Sequence, residues 1–291
     1  MSMDETLTRD LKRLIAAEGL PPNYLALSET WLEPLAAWLV QRYQSAHAPL
    51  SIGVHGGQGT GKTTLCRTME LLLAHGGLEV VTLSLDDFYL TREQRQQLAG
   101  RVHPLFATRG VPGTHDVILL QQTLESLRDG RAVELPVFDK AEDDRLPREQ
   151  WRKIESRADI ILLEGWCVGC RPQADEFLEA PQNALEAEED RNAAWRRYVN
   201  QALGAEYAQL FANLDYLVML AAPSMEAVLE WRLLQESKLG PGSQRMNQQG
   251  VERFVQHYER ITRHALSEMP ERADYLLEFD TDHQIVRAGS R

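Results

Sequence analysis

Apolar residues recur along this chain with two periods, and the period changes from segment to segment. Leu7, Leu11, Leu14 and Ile15 share a helical face over residues 4–18, and Trp31, Leu35, Trp38 and Leu39 share one over 24–46. This spacing predicts an N-terminal helical pair. The run PLSIGVH predicts a short buried strand, followed by a helix with Leu65, Met69, Leu72 and Leu73 on its apolar stripe. LEVVTLSLDD predicts a second strand, and Val117, Leu120, Leu124 and Leu127 mark a helix over 116–129. AVELPVFDK is strand-like, and Pro136 places it at a sheet edge. ADIILLEGW predicts a strongly buried strand, and 183–210 a helix carrying the acidic EAEED. LDYLVML is a further strand, 224–238 and 247–268 are helices, and ADYLLEF is a last strand. The Gly-, Ser-, Gln- and Asn-rich stretch 240–250 predicts a mobile loop.

Strands therefore alternate with helices, and most strands are continuous apolar runs. That pattern predicts an α/β fold whose parallel sheet is covered on both faces. Residues 1–48 read as a helical extension, ahead of one large domain over 49–291. No internal repeat is present.

Composition narrows the function classes. The 291 residues carry 31 Lys and Arg against 43 Asp and Glu, a net charge of −12 without any basic block. An electrostatic nucleic-acid surface is not expected. The apolar runs are too short to span a bilayer, and MSMDETLTRDLKR lacks the basic-then-apolar order of a secretion signal. A cytoplasmic protein without membrane contact is the expectation. Cys167 and Cys170 form a lone C-x-x-C with no second pair and no histidine pair nearby, so they read as incidental thiols.

Four glycines fall within six positions, 56–61, and a lysine follows. Gly56–Thr63 is G-x-x-x-x-G-K-T, after a predicted strand and before a predicted helix, the context a phosphate-binding loop requires. Glycines let successive backbone N–H groups turn toward an anion, and the helix N-terminus adds its unpaired N–H groups and dipole. Gly56, Gly57, Gln58, Gly59, Thr60, Gly61, Lys62, Thr63 and Thr64 are the candidate nucleotide-binding residues, with Lys62 reaching the outer phosphates and the Thr63 hydroxyl ligating Mg2+. A guanine-specifying N-K-x-D and a transporter-type L-S-G-G-Q are both absent.

Polar groups placed where strands end supply the remaining candidates. Asp86 and Asp87 close TLSLDDFYL, followed by Phe88 and Tyr89; in an open parallel sheet such ends line the ligand crevice. A carboxylate there accepts a proton from a substrate hydroxyl or holds the metal's water, whereas capping the next helix needs only one carboxylate. Glu164 ends DIILLEGW and suits the acidic metal-water role. Arg232 falls on the apolar stripe of the helix 224–238, so it must be paired, either with phosphate or with a core carboxylate. The loop ATRGVPGTHDV carries Arg109, His115 and Asp116, with Asp116 equally suited to cap the next helix. Lys140 and Arg145 add cations that would suit an anionic substrate.

GGQGTGKTT, LSLDDFYLT, RGVPGTHD, PVFDKA, ILLEGWCVG and WRLLQE, in this order, resemble the plant-type D-glycerate 3-kinases and their fungal and bacterial relatives, within the uridine kinase, pantothenate kinase and phosphoribulokinase group. The similarity runs from about residue 50 to the C-terminus. The resemblance implies a P-loop kinase fold, a five-stranded parallel sheet flanked by helices, with a helical lid over about 224–250. It implies MgATP as donor, Asp86 as catalytic base, Lys62 and Arg232 neutralising charge, and Mg2+ held by Thr63 with Asp86 or Glu164. Asp87, Tyr89, Arg109, His115, Asp116 and Lys140 would face the acceptor. The expected activity is phosphorylation of a small acid, with D-glycerate giving 3-phosphoglycerate, by a monomer or homodimer. The rivals are a kinase for a pantothenate-like or nucleoside-like acceptor, and an ATP-binding regulatory protein with no metabolite acceptor.

Overall fold

A computed structural model describes residues 4–155, 157–237 and 246–291. The chain opens with α1 (Glu5–Glu18), α2 (Tyr24–Leu27), a wider π turn over Ser28–Leu32, and α3 (Glu33–Ala46). The second helix expected over 24–46 is therefore broken by a π segment. β1 (Leu50–Gly56), α4 (Lys62–His75), β2 (Val80–Ser84), α5 (Arg92–Arg101) and α6 (Val117–Arg128) follow. Next come the short strands β3 (Val133–Leu135), β4 (Phe138–Asp139), β5 (Asp144–Arg145) and β6 (Arg152–Ile154), then β7 (Ile160–Gly165). The last third holds α7 (Ala184–Glu189), α8 (Ala194–Gly204), α9 (Glu206–Phe211), β8 (Tyr216–Ala221), α10 (Met225–Ser237), α11 (Gln248–Glu268), β9 (Tyr275–Phe279) and β10 (Ile285–Ser290).

The main sheet has the order β10-β9-β8-β1-β7-β2. The pairs from β9 to β2 are all parallel, which gives the five parallel strands. A sixth strand, β10, turns back antiparallel on β9 at the edge. IVRAGS has too few apolar residues to announce a strand: only Ile285 is buried, and Val286, Arg287, Gly289 and Ser290 are exposed. AVELPVFDK does not join this sheet. Pro136 divides it into β3 and β4, which pair with β6 and β5 in two separate ribbons. The helix expected over 183–210 is three helices. The Asp190 carboxylate accepts from the backbone N–H groups of Trp195 (2.8 Å) and Arg196 (3.1 Å), starting α8 afresh. Most of the stretch 240–250 lies outside the described residues.

All seven residues of β1 and all six of β7 are buried, as continuous apolar strands should be. Their side chains alternate between two cores. Ile160 and Leu162 join Ile52, Val54, Val218 and Leu220 beneath α4, and Ile161 and Leu163 join Leu83 and Met219 beneath α6, α8 and α9. The N-terminal extension belongs to the first core: Leu7, Leu11, Leu35 and Leu39 pack with Leu65, Met69, Leu72 and Leu73 of α4. A third, smaller core joins α10 to α11 through Val228, Trp231, Val251 and Val255. The register sets Glu164 level with Val54 and Ser84, so the carboxyl ends of β1, β2 and β7 lie side by side.

Candidate active site

At the end of β1 the chain turns through Gly59 (φ 80°) and Gly61 (φ 88°), both left-handed, into α4. A Cβ on Gly59 would stand 2.9 Å from the Trp231 Cβ and 3.0 Å from its carbonyl carbon, so only glycine lets α10 close on the loop. α4 begins at Lys62 with no side chain capping its N-terminus, leaving backbone donors free for an anion. Lys62 Nζ donates to the Gly57 carbonyl at 3.0 Å, and Thr60 Oγ1 to the same oxygen at 2.9 Å. Burial lowers the Lys62 ammonium, opposed by the charges of Glu164 and Asp86. Gln58 Oε1 is buried with no hydrogen-bond partner among the described residues. The Thr64 hydroxyl is taken up by α1: it donates to Glu18 at 2.9 Å. A cavity of about 260 Å3 opens over Gly59, Gly61 and Lys62–Thr64.

Glu164 is 6% exposed. Its Oε1 accepts from Thr63 Oγ1 (3.2 Å) and Ser84 Oγ (2.9 Å). Among the described residues no cation stands within ion-pairing distance of it. A buried carboxylate served only by hydroxyls beside a phosphate cradle is an incomplete charge arrangement. Hard oxygen donors of this kind fit Mg2+, bound through one or two carboxylate contacts plus phosphate.

Asp86 and Asp87 do not cap α5. That role falls to Thr91, which forms a reciprocal capping box with Gln94. Asp86 instead accepts from the Tyr89 hydroxyl at 2.8 Å and from Lys140 Nζ at 2.7 Å. Burial works to raise the Asp86 carboxyl, but Lys140, helped by Tyr89, outweighs it and holds it at about 2. The Asp86 charge in turn raises Lys140. Asp87 accepts the Phe138 N–H at 3.4 Å, and burial raises it above the ordinary carboxylate value, with Asp86 and Glu164 adding to the rise. Lys62, Asp86, Asp87, Lys140 and Glu164 thus sense one another across the ends of β1, β2 and β7.

The loop 109–116 is fixed from several sides. Trp166 Nε1 donates to the Gly110 carbonyl at 2.9 Å, and the Tyr258 hydroxyl to the Arg109 carbonyl at 3.2 Å. Arg109 pairs with Asp143 and lies over the Phe138 ring. Asp116 is committed on both oxygens: Oδ1 caps α6 through the Leu119 N–H, and Oδ2 meets Arg145 at 3.2 Å. His115 is buried and stacked on Tyr89, with ring centroids 4.5 Å apart. The Tyr207 hydroxyl accepts from the Gly113 N–H (3.1 Å) and lies 2.6 Å from His115 Nδ1. His115 Nε2 is buried without a hydrogen-bond partner among the described residues. Burial lowers His115 to about 3, so the ring is neutral.

Arg232 has the second of its two anticipated partners. Its Nη1 lies 2.7 Å from Glu236, and its guanidinium stacks on Phe254; it does not line the cavity over the phosphate loop. Cys167 and Cys170 are buried free thiols, both raised by burial. Ser84, Tyr207, Trp231 and His283 escaped the sequence reading. Ser84 precedes the conspicuous aspartates by two positions and was legible as a strand-end hydroxyl; the other three reach the site from distant segments.

None of the described helices is long and apolar enough to cross a membrane. The phosphoribulokinase / uridine kinase family matches residues 51–176, from β1 past β7, the span that carries the phosphate loop, Asp86 and Glu164. The chain is 32% identical over 246 residues to the uncharacterized kinase mug58 of Schizosaccharomyces pombe, covering 79% of this chain and 86% of that protein. It is 31% identical over 221 residues to the chloroplastic D-glycerate 3-kinase of Arabidopsis thaliana, covering 72% of this chain and 46% of the plant protein. Its fold matches the structure of a D-glycerate 3-kinase from Cryptococcus neoformans with TM-score 0.74 and 26% identity, over 91% of this chain and 99% of that one. Sequence relatives and fold agree with the strand–glycine loop–helix and the acidic strand ends: the chain belongs to the phosphoribulokinase/uridine kinase family of P-loop kinases.

Proposed function

We propose that this kinase transfers the γ-phosphate of ATP to a hydroxyl of a small hydroxy acid, with D-glycerate, giving 3-phosphoglycerate, as the acceptor. The observation that carries the reading is the Asp86–Lys140 pair beside the phosphate loop. A hydroxy acid offers one group to each member: its hydroxyl to Asp86 and its carboxylate to Lys140, with Arg109 nearby as a second cation. The D-glycerate 3-kinase relatives support the same acceptor class.

The pair also gives Asp86 a way to become a base. In the free enzyme Lys140 keeps its carboxyl near 2, too acidic to draw a proton well. Once Lys140 turns to the acceptor's carboxylate, burial is left as the larger influence and Asp86 becomes more basic. The acceptor oxygen then bonds to the γ-phosphorus, the bond from phosphorus to the ADP oxygen breaks, and the hydroxyl proton passes to Asp86. Gly56–Thr63 and Lys62 hold the outer phosphates, and His115 packs a neutral ring on Tyr89, which orients Asp86. Thr63 and Glu164 would hold Mg2+, which when bound neutralises phosphate charge. Arg232 contributes by exchanging Glu236 for phosphate. Positioning and electrostatics supply most of the rate.

The test is an ADP-release assay with D-glycerate, glycerol, pantothenate and uridine. Turnover of D-glycerate, with glycerol far poorer, supports the reading; turnover of pantothenate or uridine alone overturns the acceptor assignment. Asp86→Asn is expected to lower kcat by about 10²–10⁴ with ATP affinity nearly intact.

A further inference from the structure

Asp143 sits with Lys140 in the turn between β4 and β5, and its carboxylate holds two arginines at once. Arg95 of α5 meets Oδ2 at 2.9 Å, and Arg109 of the loop 109–116 meets Oδ1. Both guanidiniums also lie over the Phe138 ring. The two cations are held very differently. The Arg95 side chain has no exposed surface, and all three of its nitrogens donate. Nε reaches the Leu90 carbonyl at 3.3 Å, Nη1 the Ala107 carbonyl at 2.7 Å, and Nη2 both the carbonyl (2.6 Å) and the carboxylate of Asp143. The Arg109 side chain is 27% exposed, and its second nitrogen makes only a long 3.5 Å contact with the Lys140 carbonyl. One carboxylate therefore faces two guanidiniums, one fixed in the interior and one at the edge of the acceptor site.

Resting on the hydroxy-acid reading above, we propose that Arg95 is a positioning residue for Arg109: it keeps Asp143 paired so that Arg109 can leave for the acceptor's carboxylate. If Arg109 were the sole partner, its departure would strand a part-buried carboxylate, and that cost would oppose acceptor binding. With Arg95 in place Asp143 stays neutralised, and the other guanidinium is surplus. The surplus cation is the one able to move. A guanidinium offers a carboxylate two parallel N–H donors, which the Lys140 ammonium cannot, so Arg109 adds selection for an acid over a neutral alcohol.

Steady-state ADP release by the full chain, with saturating MgATP and either D-glycerate or glycerol, tests this. Arg109→Met is expected to shrink the preference for D-glycerate over glycerol by about ten- to a hundredfold. Asp143 has φ 54°, and Asp143→Asn keeps a residue that tolerates this left-handed turn while removing the charge that competes for Arg109. The KM for D-glycerate should then fall, by about three- to tenfold. Arg95→Met leaves Asp143 with Arg109 alone, so that KM should rise by about tenfold with the ATP KM unchanged. Adding Asp143→Asn to Arg95→Met should bring the KM back to within about threefold of that of Asp143→Asn alone. A merely structural role for Arg95 gives no such rescue. A KM unmoved in Arg95→Met, or raised and not restored by the second change, overturns the proposal. Should Arg95→Met fail to fold, Asp143→Asn still answers: a lower KM supports the proposal, and an equal or higher one overturns it. If the wild type prefers D-glycerate and Arg109→Met keeps that preference, the hydroxy-acid reading stands and this proposal falls. If the wild type has no preference for D-glycerate over glycerol, both fall.

Discussion

Lys140 reaches from the turn between two short ribbon strands to place its ammonium 2.7 Å from the Asp86 carboxylate at the end of β2. The link is the strongest influence holding Asp86 in its charged form, against the opposing effect of burial. Lys140→Met removes it. The acceptor KM is then expected to rise by about ten- to a hundredfold with the ATP KM unchanged. Without its cation, Asp86 titrates above its present value of about 2, so kcat/KM of the variant should gain an acid limb that the wild type lacks down to pH ~4. A variant with unaltered acceptor KM and a flat profile would show that the pair is a bystander.

Local chemistry was legible in the sequence, and contacts across long separations were not. The apolar runs gave the parallel strands, G-x-x-x-x-G-K-T gave the phosphate loop, and the carboxylates after apolar runs gave Asp86 and Glu164. The stripe that marked Arg232 as a cation needing a partner did not choose that partner, although Glu236 stands one helical turn away. His115 was visible, but the Tyr207 hydroxyl that meets its Nδ1 comes from 92 residues further on. Trp231 and His283 meet only because the antiparallel β10 brings its turn beside α10, and β10 itself lacks the apolar run that marks the other strands.

Glu164 is buried, accepts two hydroxyl donors and has no cation at ion-pairing distance among the described residues. If its negative charge serves to hold Mg2+, Glu164→Gln should raise the Mg2+ concentration for half-maximal activity by about ten- to a hundredfold. Thermal stability without metal should hold or rise, since the substitution removes a buried charge. An unchanged Mg2+ requirement assigns Glu164 a structural role.

Leu11 of α1 is fully buried, packed into the core that α4 and the sheet share. Leu11→Ala should cost about 2–5 kcal/mol through lost transfer energy and the cavity left behind. If the extension folds as part of the main core, urea unfolding of this variant shifts as one transition. A separate early transition, with the rest of the protein unmoved, would make residues 1–48 an independent appendage.

Two buried histidines make stability depend on pH in a definite direction. His55, on β1 before the phosphate loop, is lowered to about 3 by burial and the nearby Lys62 charge, and it contacts the Val168 carbonyl at 3.1 Å. His115 is lowered to about 3 by burial. In the unfolded chain both titrate near 6.5. Between about pH 6.5 and 3 the unfolded state therefore binds more protons than the native state, and stability falls as pH falls through that window. The slope fades through pH 6.5 and is nearly gone by about pH 7.5. Each contributes a slope of at most ~1.4 kcal/mol per pH unit, or about 2 kcal/mol each between pH 6.5 and 5. Urea unfolding at pH 7.5, 6.5 and 5 measures the slope. Burial lowers His257 and His264 as well, so His55→Gln removes one of four such groups and should flatten the slope without abolishing it, even if the variant is less stable at pH 7.5. An unchanged slope in His55→Gln would mean that this ring is already protonated, or hydrated, in the folded protein.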